Sequence, residues 1–106
     1  MTTISTDADV ATLVNVFTVE PEKQRALVEV LTTATEEVMR RRPGFVSANI
    51  HASTDGTRVV NYAQWASAED FEAMLADPHC REHMSAAVAL AMSDPHLYTV
   101  ESVHHA

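Results

Sequence analysis

The sequence has 106 residues, 46% of them hydrophobic and 21% charged, with only two glycines. That length supports one compact domain, and the composition excludes disordered, collagen-like and low-complexity chains. A formal net charge of −8 disfavours nucleic acid and anionic membrane surfaces, because both recruit cations.

Residues 1–10 (MTTISTDADV) are polar and read as a flexible lead-in to a single domain over 11–106. Residues 12–19 (TLVNVFTV) are rich in β-branched and aromatic types, the composition of a strand. Leu13, Asn15, Phe17 and Val19 then share one face, and Val14 and Val16 the other. Pro21 suits a first helical position, where its missing N–H is no loss. From Glu22 the apolar positions Leu27, Leu31, Ala34 and Val38 form one stripe of a helix that ends near Arg42, before Pro43-Gly44. Residues 45–51 (FVSANIH) form a second strand. Asp55-Gly56 signals a hairpin into a third, residues 57–65 (TRVVNYAQW).

Ser67 and Asp70 have the spacing of a capping box, opening a short helix with Phe71, Met74 and Leu75 inward. Asp77 followed by Pro78 reads as an N-cap and first helical position, so a new helix starts there. Its stripe is Cys80, His83, Met84, Ala87, Val88 and Ala91. Ser93-Asp94-Pro95 stops it, and residues 97–103 (LYTVESV) form the last strand. The order β-α-β-β-α-α-β is the ferredoxin-like, split βαβ arrangement: an α+β fold with one antiparallel sheet and helices on one face. In that arrangement the first and third strands are neighbours at the sheet centre. Both sheet faces read as largely apolar, through Val14, Val16, Val46, Ala48, Ile50, Val60 and Tyr62. The face without helices therefore needs a second layer, and another copy of the chain is the expected one. The single cysteine, Cys80, cannot close an internal disulfide. No apolar run approaches the roughly 20 residues that span a bilayer. A soluble, cytoplasmic protein is expected.

Candidate chemistry begins on the third strand. Asn61 and Trp65 are four apart, hence on one face, with the small Ala63 leaving space between them. A buried asparagine must satisfy a carbonyl and an NH2 group, so beside a Trp it reads either as a polar handle in a pocket or as a turn or bulge cap. Asn15 is a second polar residue in an apolar strand; it would converge on Asn61 in a pocket or bond a neighbouring backbone. His83 is a candidate acid or base, or a half-exposed rim residue. His79 and His83 are one helical turn apart, but lack the third ligand and the glutamate of a zincin helix, so no metal is expected. His104 and His105 read as surface residues. Arg40-Arg41-Arg42 suits a helix C-terminus and reads as a solvated cap. Cys80 has no activating partner. No Gly-rich phosphate loop, GxSxG elbow or paired carboxylates occur, so nucleotide cofactors and hydrolase triads have no support.

Residues 43–75 (PGFVSANIHASTDGTRVVNYAQWASAEDFEAML) resemble the antibiotic biosynthesis monooxygenase family, with VVNYAQW the most specific part. The entry strand, residues 15–21 (NVFTVEP), and the Asp77-Pro78 helix also fit, so that the resemblance covers about residues 12–104. It implies a subunit that pairs through its sheet as a homodimer, a dimeric α+β barrel. It also implies a monooxygenase that oxidises a polycyclic aromatic polyketide, of the anthrone or naphthacenone type, to a quinone. O2 is the co-substrate, and no metal, flavin or haem takes part. By resemblance Asn61 and Trp65 carry over as catalytic residues, joined by His83 as a candidate proton carrier. Asn15, Phe17, Phe71, Met74 and Met84 are the expected substrate contacts. Two departures bear on the acid/base assignment. Quinone-forming members offer a tyrosine where this chain has Phe71, and an arginine on the next helix where this chain turns Cys80, His83 and Met84 inward. Asn15 and His83 also fit the haem-degrading branch, but Met74 stands where that branch has a tryptophan. A non-catalytic dimeric binding module for aromatic metabolites is the third alternative.

Overall fold

A computed structural model describes residues 1–106. Its strands are β1 (Ala11–Val19), β2 (Phe45–Ala52), β3 (Arg58–Trp65) and β4 (Ala91–Tyr98); its α-helices are α1 (Gln24–Glu37), α2 (Ala68–Ala76) and α3 (Pro78–Val88). The four strands form one sheet in the order β2-β3-β1-β4, every neighbouring pair antiparallel. This is the expected split βαβ topology, with β1 and β3 at the centre.

Strand parity decides what each face does. Leu13, Phe17 and Val19 on β1 and Val59, Ala63 and Trp65 on β3 are all buried beneath the helices. Val14, Val16, Val60 and Tyr62 occupy the opposite face, which carries no helix and leaves them half-buried. Polar Thr12, Ser47 and Gln64 are buried at one end of that open face. There the Ser47 hydroxyl donates to Gln64 Oε1, Gln64 Nε2 donates to the Thr3 carbonyl, and Asn49 Nδ2 donates to the Thr2 hydroxyl. The N-terminal lead-in thus lies against the open face.

Two expected elements differ in extent. The first helix is not continuous from 22 to 42: Pro21–Lys23 and Met39–Arg41 are tighter 3₁₀ turns flanking α1. Val38 leaves helical geometry (φ −126°, ψ −60°) and is buried, and Arg42 is extended (φ −78°, ψ 146°) because the following Pro43 disfavours the α region. The last strand begins at Ala91 and ends at Tyr98, so Ser93-Asp94-Pro95 lies inside it and residues 99–103 lie outside. β4 is a sheet edge, where a proline is tolerated because one side of the strand has no ladder to complete. Helix α3 accordingly stops at Val88. That residue, expected inside, is 60% exposed, and Leu75 is 37% exposed.

Turn chemistry follows the sequence closely elsewhere. Ser67 Oγ accepts from the Asp70 N–H at 3.1 Å, and Asp77 Oδ1 accepts from the N–H groups of His79 (2.9 Å) and Cys80 (3.1 Å). Arg42 is not a freely solvated cap, since its guanidinium meets the Asp77 carboxylate at 3.1 Å and ties the end of the first helical segment to the start of α3. In the hairpin loop the side chains of Ser53 and Thr57 and the Thr57 N–H converge on Asp55. With the Thr57 hydroxyl as the largest cause, they pull the Asp55 carboxyl down to a pKa of about 2.

Gly44 leads into β2 with φ +83°, and a Cβ there would fall on the Asp70 carboxyl. Its carbonyl accepts from the Ala66 N–H at 2.6 Å, so the position is fixed between β3 and α2. Gly44→Ala is expected to lose about 1–3 kcal/mol through left-handed strain and this clash, read as a lower denaturant midpoint with unchanged slope. A stability equal to wild type would show that the turn is free to rearrange.

Candidate active site

The core beneath the helices is divided. One buried cluster joins Leu13, Val38, Ala63, Trp65, Phe71, Met74 and Cys80; another joins Phe17, Val19, Leu27, Val59 and Ala87. A cavity of about 640 Å³ draws lining from both, with the sheet as its floor and α1, α2 and α3 around it. All eight residues singled out from sequence line it: Asn15, Phe17, Asn61, Trp65, Phe71, Met74, His83 and Met84.

The floor is set by strand register. Asn15 on β1 stands directly opposite Asn61 on β3, and Leu13 opposite Ala63. Trp65 follows on the same face as Asn61. Its ring receives Phe45 edge-on, with centroids 5.4 Å apart, and meets Phe71 at 6.3 Å. These aromatic contacts lock the indole in place. Asn15 Oδ1 accepts from the backbone N–H of Asp94 on β4 at 3.1 Å. Asn61 Oδ1 is buried without a hydrogen-bond partner, an arrangement that costs roughly 1–3 kcal/mol. Such a group belongs in a cavity that receives a ligand more readily than in a plain core.

The walls are apolar, with Leu31, Ala34, Met39, Met74, Met84 and Ala87 prominent. His83 enters from α3, its ring edge-on to His79 with centroids 5.2 Å apart. Cys80, the next residue inward on α3, is fully buried, and burial pushes its thiol pKa up, which keeps it protonated and unreactive. No Lys or Arg lines the cavity, and no three His, Cys, Asp or Glu side chains converge anywhere in the chain as a metal site.

Some lining escaped the sequence reading. Thr35 and Met39 belong to the helical segment whose far end was read as uniform helix. Phe45 opens β2, where alternation alone did not assign a face. Ser93 and Pro95 come from the part of β4 with the composition of a helix stop, His96 lies just after it, and Leu97 opens the expected last strand. Their signal was Asn15 itself, a polar residue whose carbonyl needed a donor from the neighbouring edge.

Asp77 holds the α3 wall, and its carboxyl pKa is lowered, first by the Cys80 N–H and further by the Arg42 charge and the His79 N–H. A carboxylate stabilised in the folded state contributes fully above its unfolded pKa, and that contribution fades as pH falls through the lowered folded value. Asp77→Ala is therefore expected to unfold at lower denaturant than wild type at pH 7, with the difference closing in acid. A difference independent of pH would mean that the carboxylate charge is not what the cap depends on.

The sequence profile of the antibiotic biosynthesis monooxygenase family matches residues 11–86. Among curated proteins, the chain is 52% identical over 95 residues to tetracenomycin-F1 monooxygenase of Streptomyces glaucescens, covering 90% of this chain and 85% of that one. Among solved structures, it is similar to the monooxygenase ActVA-Orf6 of Streptomyces coelicolor in complex with nanaomycin D. That likeness has a TM-score of 0.81 and 37% identity over 91% of each chain. SnoaB of Streptomyces nogalater, a cofactor-independent oxygenase, matches with a TM-score of 0.72 and 30% identity, over 91% of this chain and 97% of that one.

Proposed function

The chain belongs to the antibiotic biosynthesis monooxygenase family, and from that premise we propose that it oxidises a polycyclic aromatic polyketide of the anthrone or naphthacenone type to a quinone with O2, without a cofactor. The observation that carries this reading is the cavity floor: two cross-strand asparagines and a tryptophan on one face, under apolar walls wide enough for fused rings. Relatives named for tetracenomycin F1 and for a complex with nanaomycin D support the substrate class.

The chemistry needs little from the protein beyond placement and charge. An anthrone is a carbon acid whose enolate is electron-rich enough to give one electron to O2. The resulting radical and superoxide combine at the ring carbon to form a peroxide. Loss of water from that peroxide leaves the carbonyl, so the ring CH2 and O2 become C=O and H2O. Asn15 and Asn61 donate amide N–H groups to the enolate oxygen, and Trp65 adds its indole N–H or stacks on the ring. Apolar walls exclude bulk water and hold ring and O2 together while the radicals combine. His83, which lines the cavity, takes the ring proton or returns it to the peroxide. Phe17, Phe71, Met74 and Met84 shape the walls against the rings.

The active form is a homodimer through the open sheet face. Val14, Val16 and Val60 lie there with no helix above them, and the Tyr62 hydroxyl is buried without a partner. A second copy would cover this apolar centre while the lead-in covers the polar end. Wild-type protein is expected to sediment as a dimer and Val16→Asp as a monomer; a wild-type monomer at every concentration would remove the pairing.

Adding an anthrone to metal-free protein in air is expected to give quinone absorbance and matching O2 uptake above the uncatalysed rate. Asn61→Ala should lower that rate by about 10²-fold, the scale of losing one oxyanion donor, while shifting the melting temperature little. Trp65→Phe keeps one aromatic ring but removes the indole N–H together with part of the buried ring volume, so a lower rate is expected along with a modest loss of melting temperature. Oxidation no faster than autoxidation would sink the catalytic reading. Tight, stoichiometric anthrone binding without turnover would replace it with a binding module.

A further inference from the structure

A proton taken from a ring carbon inside this cavity has few places to go. The walls are apolar, no Lys or Arg lines them, and the titratable side chains on the lining are His83 and His96. His96 stands opposite Val14, a residue of the open sheet face, and its Nε2 is paired with the Asp94 carboxylate at 2.8 Å. Its ring therefore serves the other side of the sheet. That leaves His83, half-buried on α3. One turn earlier on the same helix, His79 sets its ring edge-on to that of His83, with centroids 5.2 Å apart and planes at 83°. A single bridging water spans such a separation. His79 is 67% exposed, and its Nδ1 lies 3.8 Å from Glu82 Oε2. The other ionisable groups at this end of α3 are committed. Asp77 is held by Arg42 and by two backbone N–H groups, and Cys80 is buried with its thiol protonated. His83, His79 and Glu82 thus run from the cavity to bulk water along one side of the helix.

We propose that His79, steadied by Glu82, is a positioning residue that links His83 to solvent, so that the cavity exchanges the methylene protons of a bound aromatic carbon acid with bulk water. This rests on His83 as the base of the proposed function. In the exchange the ring C–H bond breaks, its electron pair stays on the ring as the enolate, and the proton moves to His83 and through His79 to water. A solvent proton returns by the same path and re-forms the C–H bond, so nothing is oxidised or reduced. The stoichiometry of the oxidation does not require this link, because the peroxide can take back the proton that His83 removed. In air the link returns His83 to one protonation state after every turnover. Its own signature is exchange in the absence of oxygen.

The test is run under argon. Anthrone incubated with the full chain in D2O buffer is expected to take up deuterium at its methylene carbon, read by mass spectrometry, faster than in buffer alone. His83→Ala should cut that enhancement by about 10²-fold, the lower end of what a positioned acid or base contributes. His79→Ala should cut it by roughly tenfold, because only the outward passage is slowed. His79→Phe keeps an edge-on ring that carries no proton, so it should be as slow as His79→Ala. Free imidazole, after subtraction of its own catalysis in buffer, should restore exchange to His79→Ala and add nothing to wild type. Exchange at the wild-type rate in His79→Phe, or no rescue of His79→Ala by imidazole, would make His79 a packing residue and overturn the proposal. Full exchange in His83→Ala would overturn it as well. A protein that oxidises anthrone in air but shows no exchange under argon would remove this inference alone. One that exchanges without oxidising would remove the oxidation and leave the link to solvent standing.

Discussion

The register of β1 against β3 is the constraint on which the site depends. Side chains alternate faces with a period of two, so a slip of one residue would exchange the floor of the cavity for the open face. In the observed register Asn15 meets Asn61 and Leu13 meets Ala63. Two amides thereby sit side by side, with the smallest side chain of the row next to them, where a ring can approach. The same parity sends Val14, Val16, Val60 and Tyr62 outward, so what opens the cavity also creates the surface that needs a partner. A packed hydrophobic face would hold the register more firmly than amides do. Phe17 opposite Val59 at one end and the Phe45–Trp65 contact at the other supply that restraint.

A cavity of this size inside so short a chain divides the hydrophobic core. Leu27, Val59 and Cys80 are the large side chains wholly removed from solvent, and they belong to separate clusters at the two ends of the cavity. Side-chain caps and an ion pair accordingly fix the starts of the two short helices α2 and α3. Asp77 caps α3 and binds Arg42, and Ser67 caps α2 beside Gly44. Along α3 only Cys80 and Ala87 are buried, while His83 and Met84 face the cavity. A small domain buries a modest share of its surface to begin with, and a ligand or a second copy restores what the cavity withholds.

Most of the architecture was legible because its signals are local. The β-branched runs, the Asp55-Gly56 loop and the Asp77-Pro78 restart each act within a few residues, and the strand order followed from element order. The site was legible for a different reason: Asn15, Asn61 and Trp65 break an apolar alternation on positions of one parity. What stayed hidden depended on neighbours. Ser93-Asp94-Pro95 has the composition of a helix stop and a turn, and only its place at a free sheet edge allows it to be a strand. Val38 ends α1 because the core takes its side chain, not because its residue type breaks helices. The exposure of Val88 follows from the same displacement, since an earlier β4 ends α3 before the stripe can complete a further turn.

The division between sheet and helices also bears on how the proposed oxidation would be shared between them. Asn15, Asn61 and Trp65 sit on the paired central strands, where each backbone is held from both sides and a shift of one side chain disturbs two ladders. Phe71 and the inward face of Cys80, His83 and Met84, the positions where the sequence resemblance implied a tyrosine and an arginine, fall on α2 and α3. Those short helices contact the sheet through few buried residues. Stabilising charge on the ring oxygen demands fixed donors at hydrogen-bond distance, whereas moving a proton can be met by His83, by water or by the acidity of the substrate. A reaction in which the substrate supplies its own electrons places its strict demand on the floor and a loose one on the walls. Under the proposed function, variation in the walls would alter which rings fit and how the proton travels, and would leave stabilisation of the ring oxygen to the sheet.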